Sequence, residues 1–186
     1  MKLHKLFGFV GVILVITIFA CSEEGKENKA QQKYNFKPGS EPEGFRDIKW
    51  GTHLSRIEGM EKYGELGRDD LQLYVRRGDE REIGGVIADR IQYRFWKGKF
   101  YAADVFIGGV TFWDVFRRSV FERYGEVEIS ESADKKREDC FWHGRKTAIL
   151  LTYKRDIYET HLFISSEDIE KEMIISNSPG ERKKGF

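Results

Sequence analysis

Asp89 to Ile107 constrains the fold of this 186-residue chain more than any other stretch. From Asp89 to Phe95 the residues alternate, with Ile91, Tyr93 and Phe95 on one side and Arg90, Gln92 and Arg94 on the other. That period of two belongs to a half-buried strand. Phe100 to Ile107 offers Tyr101, Ala103, Val105 and Ile107 as a second apolar face. Trp96-Lys97-Gly98-Lys99 between them reads as a hairpin turn with glycine at a left-handed position. Bringing the two apolar sets together requires an odd-length connection. A three-residue loop, Trp96-Lys97-Gly98, with a glycine bulge meets that condition. A hairpin with one apolar face has to bury it, so the rest of the chain must supply a cover.

The best cover is the stretch from Phe112 to Tyr124. Phe112, Trp113, Phe116, Val120 and Tyr124 form one helical stripe, Thr111 is placed to cap the start, and Gly125 closes the end. An earlier helix is expected over His53–Lys62, from Leu54, Ile57 and Met60 at helical spacing, with Thr52 as N-cap and Gly64 as the stop. Phe45, Ile48 and Trp50 precede it as an apolar opening. Further strands are expected over Leu71–Arg76, Glu138–Trp142, Thr147–Tyr153 and Tyr158–Ile164, with a short last helix capped by Ser165 or Ser166 and ending near Met173. The fold class is therefore α+β: an antiparallel sheet of about six strands with two main helices on one face. One domain is expected over residues 44–176, with 21–43 as a polar tether and 177–186 as a frayed tail.

Two signatures recur. Lys62-Tyr63-Gly64-Glu65 is echoed by Arg123-Tyr124-Gly125-Glu126, and Phe95-Trp96-Lys97-Gly98-Lys99 by Phe141-Trp142-His143-Gly144-Arg145. Their order is the same each time, which admits a reading as two αβββ repeats; the alternative is coincidence of a common helix stop and a common turn. In outline such a fold looks similar to β-lactamase inhibitor proteins and outer-membrane assembly lipoproteins, a fold-level likeness that carries no function.

The N-terminus specifies an address. Lys2 and Lys5 precede an uncharged run from Leu6 to Ala20, followed at once by Cys21. Basic start, short apolar run and small residue before the cut are the parts of an export signal, and the run is short for a spanning helix. Ile18-Phe19-Ala20-Cys21 resembles the lipobox of bacterial lipoprotein precursors, with Phe19 larger than that pattern usually carries. The resemblance implies removal of residues 1–20, cleavage between Ala20 and Cys21, lipidation of the Cys21 thiol, and attachment to a membrane of the cell envelope. Ser22 rather than aspartate after Cys21 implies, by the same resemblance, the periplasmic face of the outer membrane where the organism is Gram-negative. An uncleaved anchor or an ordinary secretory signal are the alternatives. The opening Phe45-Arg-Asp-Ile48-Lys-Trp50-Gly-Thr52 is similar to one found in exported bacterial proteins of unassigned activity.

Composition and motifs exclude several functions. The formal charge is only +1, so no long-range field gathers nucleic acid. Gly-x-Ser-x-Gly, nucleotide-binding glycine loops and metal-ligand clusters are absent from the sequence, and no catalytic, metal-binding or cofactor-binding residue is assigned. Cys140 and His143 lie three apart on one strand and point to opposite faces. His143 and His161 fall on strands flanking Thr147–Tyr153 at points too far apart to share an ion, and Cys140 reads as a small buried residue. Arg77-Gly78-Asp79 matches an integrin-type tripeptide too short to carry weight. What remains is a lipid-anchored, non-catalytic domain that binds a protein partner in the envelope. Trp96, Trp142 and Tyr158 are candidate docking aromatics, with core packing as their ordinary role. The alternative is an envelope enzyme or a small-ligand-binding lipoprotein, which requires a concave pocket between helix and sheet with convergent polar groups.

Overall fold

The computed structural model describes residues 34–176. Twelve strands, one 3-10 turn and two α-helices occur among them. Eight strands form one antiparallel sheet. Its first half is β3 (Met60–Glu65), β4 (Leu71–Arg76), β7 (Arg90–Trp96) and β8 (Lys99–Gly108); its second is β9 (Ile129–Glu131), β10 (Arg137–His143), β11 (Thr147–Lys154) and β12 (Glu159–Ser166). The spatial order is β3-β4-β7-β8-β12-β11-β10-β9. Each half is a meander, and the last strands of the two halves, β8 and β12, pair at the centre. Two small hairpins stand apart from the sheet: β1 (Gly44–Phe45) with β2 (Ile48–Lys49), and β5 (Glu82–Ile83) with β6 (Val86–Ile87).

The fold class expected from sequence is corrected by these findings. The protein is mostly β, its sheet has eight strands rather than about six, and only one of the two expected main helices exists. The six expected strands are the central ones, β4, β7, β8, β10, β11 and β12; the two edges were missed. β9 arises within a polar stretch whose residues are exposed, so no alternation marks it. β3 replaces the second half of the expected helix over His53–Lys62. Only Leu54–Arg56 is helical, as a 3-10 turn, and Gly59 (φ +77°) turns the chain into β3. Leu54, Ile57 and Met60 do pack on the core. Their apolar character was read correctly and their period wrongly, because the ladder to β4 satisfies more backbone groups here than one short helix would.

The two-αβββ reading fails with it. Lys62-Tyr63-Gly64-Glu65 lies in β3 at a shift in register, with Tyr63 exposed, whereas Tyr124 is buried at a helix end before Gly125 (φ +103°). The hairpin parity argument holds, but the odd residue sits elsewhere. Trp96 pairs with Lys99 across a two-residue turn, Lys97-Gly98, both left-handed. The extra residue is Tyr101, at a bulge in β8. Phe100 therefore enters the core, and Tyr101 turns to the opposite face.

The helix α1 (Phe112–Tyr124) covers one face, burying Trp113, Phe116, Val120 and Tyr124 against Tyr93, Phe95, Val105, Trp142 and Ile149. Phe112, expected in the stripe, is exposed, and Thr111 makes no side-chain cap. The second helix, α2 (Glu167–Ser176), packs on the other face at one end, where Ile169 and Met173 meet Trp96, Tyr101, Ala102 and Phe163. Ser166 caps it, its hydroxyl accepting from the Ile169 N–H at 3.4 Å. Of the stretch read as a tether, residues 34–43 lie against the domain: Phe36 packs edge-on to Tyr124, and the Glu41 carboxylate accepts from the backbone N–H groups of Lys146 and Thr147. The expected tail, 177–186, lies outside the described residues. No helix among the described residues is long and apolar enough to cross a membrane.

Candidate functional site

A cleft of about 540 Å³ opens between α1 and the two small hairpins. Its floor is apolar: Phe45, Ile48, Phe116, Val120 and Leu162. The β1–β2 hairpin forms one wall and is very tight; a Cβ on Gly44 would stand 2.1 Å from the Ile48 carbonyl oxygen. Two arginine–aspartate pairs clamp its tip. Arg46 bonds Asp79 and the Glu80 carbonyl, and Arg76 grips both oxygens of Asp47 at 2.8–3.1 Å. Asp79 also accepts from the Tyr93 hydroxyl at 2.7 Å, tying the clamp to a side chain rooted in the core. The β5–β6 hairpin forms the facing wall. Its Gly84 (φ +59°) touches α1 so closely that a Cβ would stand 2.8 Å from Ser119 Oγ and 2.9 Å from Phe116 Cδ2.

The rim is charged. Glu43 is taken by Lys146, whose hydrogen bond and charge hold its carboxyl below the usual range. Arg46 is taken by Asp79. Lys49 and Arg123 line the same cleft and form no salt bridge among the described residues, although the charge of Lys49 adds to that of Lys146 in lowering Glu43; Glu82 stands on the opposite wall. The Arg123 guanidinium lies 5.5 Å over the Tyr124 ring. The Ser119 hydroxyl, one helical turn before Arg123, has no hydrogen-bond partner among the described residues. The C-terminal carbonyls of α1 are satisfied from outside the cleft: Lys37 N–H and Ser40 Oγ donate to Tyr124, and Lys37 Nζ to Glu122.

The opposite face of the sheet carries a buried ion network. Asp104 is fully buried. Arg94 reaches both its oxygens, Nε to Oδ2 at 2.6 Å and Nη2 to Oδ1 at 2.8 Å, and His161 Nε2 donates to Oδ1 at 2.8 Å. Burial alone would raise the Asp104 pKa; the hydrogen bonds from His161 and Arg94 overcome it and hold the group below its ordinary value. The His161 ring stacks on Phe106 at 4.5 Å, and Arg90 covers the other side of Phe106 at 4.3 Å. An Asp–His pair is two-thirds of a hydrolytic triad. Here no serine, threonine or cysteine among the described residues hydrogen-bonds to His161, and Arg94 already occupies the carboxylate. The arrangement is that of a paired buried charge.

The residues singled out from sequence are scattered. Trp96 and Trp142 are buried, with indole N–H groups donating to Asp70 at 2.9 Å and to the Gly125 carbonyl at 2.9 Å. Neither offers surface to a partner; both take the core-packing role given above as their ordinary one. They are hairpin-flanking residues drawn inward, one under α2 and one under α1. Tyr158 is exposed, in a left-handed turn. His143 bonds Glu167 at 3.1 Å, and His161 pairs across the ladder with Thr152. His53 Nδ1 accepts from Ser55 N–H at its turn. No group of three or more potential metal ligands occurs among the described residues. Cys140 is fully buried, and burial pushes its thiol up to about 11. Asp79 of the Arg-Gly-Asp tripeptide is spent on Arg46 and Tyr93. Ala20 and Cys21 lie outside the described residues.

No protein-family model matches the chain, and neither the curated proteins nor the solved structures contain a match to it.

Sequence reasoning missed both the cleft and the ion network. The network had a signal: Asp104 interrupts an otherwise apolar strand and falls opposite Gln92, one step from Arg94, once the hairpin register is drawn. The cleft had none, because its walls are two-residue strands.

Proposed function

We propose that this chain is a lipid-anchored protein of the cell envelope whose domain acts by binding rather than catalysis, and that the cleft between α1 and the two small hairpins is its binding site. The anchor rests on the charged start, the Leu6–Ala20 run and the lipobox-like Ile18-Phe19-Ala20-Cys21. The binding reading rests on one observation: a concavity of ligand size with an apolar floor and, on its rim, two cationic side chains that form no salt bridge, Lys49 and Arg123. A docked envelope protein is the occupant expected from sequence. The concave apolar floor favours a small molecule, and two of the three aromatics expected to meet a partner are buried.

Two measurements test the proposal. Intact mass of the N-terminal peptide from membranes, beside a Cys21→Ser variant, reads the address; an unmodified Met1 start would remove the anchor. For the cleft, Ser119→Cys in the full chain supplies a reporter thiol, read on the peptide that carries position 119 because Cys140 is sealed in the core and Cys21 is a second thiol wherever it is not lipidated. Envelope extract should slow its reaction with a maleimide. An unchanged rate with every extract fraction would dispose of the cleft as the site.

A further inference from the structure

We infer that the cleft takes a single-chain amphiphile bearing one carboxylate: an apolar body on the Phe45, Ile48, Phe116, Val120 and Leu162 floor, with its headgroup between Lys49 and Arg123. The inference rests on the binding reading above and names the ligand class for the same site. Three observations select the class. Five apolar side chains lie together in the cleft, so the part of the ligand seated on them must be apolar or leave its own polar groups unpaired. Arg46 is held by Asp79 and Glu43 is shared by Lys146 and Lys49, and the charged side chains lining the cleft (Arg46, Lys49 and Arg123 against Glu43 and Glu82) leave an excess of one positive charge that matches a monoanion rather than a phosphate dianion. The negative end of the α1 dipole, which would repel an anion, is satisfied by Lys37 and Ser40 outside the cleft. Arg123 offers a planar fork suited to a carboxylate, and the unpartnered Ser119 hydroxyl one turn away can donate to the same group.

The test uses the full chain in isolated membranes and a photoreactive pair, a diazirine-bearing octanoate and the matched octyl-trimethylammonium. Peptides spanning residues 44–49 and 116–124 should be labelled by the carboxylate, saturably and in competition with unlabelled decanoate. The cation should label them about tenfold less, the difference one well-placed ion pair makes. Lys49→Glu combined with Arg123→Glu should reverse that preference. Both residues are exposed, and an unchanged thermal midpoint checks that the fold survives. Equal labelling by the two charges, or better competition by dodecyl phosphate than by decanoate, overturns the carboxylate class and leaves the cleft standing. No labelling of these peptides, with Ser119→Cys still protected by extract, also overturns the class. Failure of labelling and protection together brings down the binding reading as well.

Discussion

Two hairpins carry nearly the same five residues and use them in opposite ways. In Phe95-Trp96-Lys97-Gly98-Lys99 the phenylalanine is in the main core and the tryptophan is on the other face beneath α2. In Phe141-Trp142-His143-Gly144-Arg145 the tryptophan is in the main core and the phenylalanine is exposed. The side-chain period in a strand is two, so a shift of one position inverts every residue. The glycines differ too. Gly98 has φ +75° and serves the backbone of a two-residue turn, with only the exposed His53 ring close by, 2.7 Å from where a Cβ would stand. Gly144 does not have a left-handed backbone; it serves a close approach, since a Cβ there would stand 2.2 Å from Glu41 Oε1 and 2.9 Å from Phe36 Cδ2. One sequence device thus marks a turn in the first case and the seat of the N-terminal segment in the second.

Truncation should expose the inversion most strongly. Trp142→Ala is expected to cost about 3–5 kcal/mol and Phe141→Ala less than about 0.5 kcal/mol, with Phe95→Ala matching the tryptophan rather than its namesake; urea unfolding reads this, and equal losses at positions 141 and 142 would refute the assigned faces. Acid should act next, on the strands that leave the first turn. Asp104 has a depressed pKa in the folded state, so its contribution is complete above the unfolded value of about 3.9 and is lost as pH falls through the lower folded value. Asp104→Asn should flatten the acid limb of a stability–pH curve below about pH 4, at a loss of about 3 kcal/mol at neutral pH for stranding Arg94. Smaller effects separate the glycines. Gly98→Ala should cost about 1–2 kcal/mol, and Gly98→Asn less, since asparagine tolerates a left-handed backbone and both replacements displace the exposed His53 ring alike. Gly144→Asn should bring no such relief, and either substitution there should speed proteolysis within residues 34–43. Smallest is a reactivity without a stability change: Cys140 should resist iodoacetamide at pH 8 until the chain unfolds, because its thiol is sealed and its pKa stands near 11.

How far the sequence could be read follows from the same contrast. The six central strands and α1 were legible because each is long enough for a period to show, and because Gly125 and Ser166 are local signals that the structure obeys. The helix expected over His53–Lys62 failed because three apolar residues at helical spacing also suit a turn followed by an edge strand, and Gly59 decided between them. Residues 34–43 read as tether by composition, yet Glu41 and Phe36 find partners in the Gly144 turn more than a hundred positions away. The cleft is assembled from two hairpins too short to show any pattern, closed on α1 by a glycine contact. Only the presence of Lys49 and Arg123 was on the page, not their convergence.

The pairing of β8 with β12 at the middle of the sheet sets an order of assembly. Each meander is built from neighbours in sequence and closes small loops, so each can form early. The seam between them joins the end of the first meander to the last strand of the second, Gly108 to Glu159 at one end and Ala102 to Ser165 at the other. A chain delivered from its N-terminus therefore holds β8 as an open, apolar edge until the final strand arrives, and Asp104 waits there without His161. During that interval the first half is an aggregation hazard that nothing local can relieve. Loss of β12 would leave two half-sheets with no ladder between them.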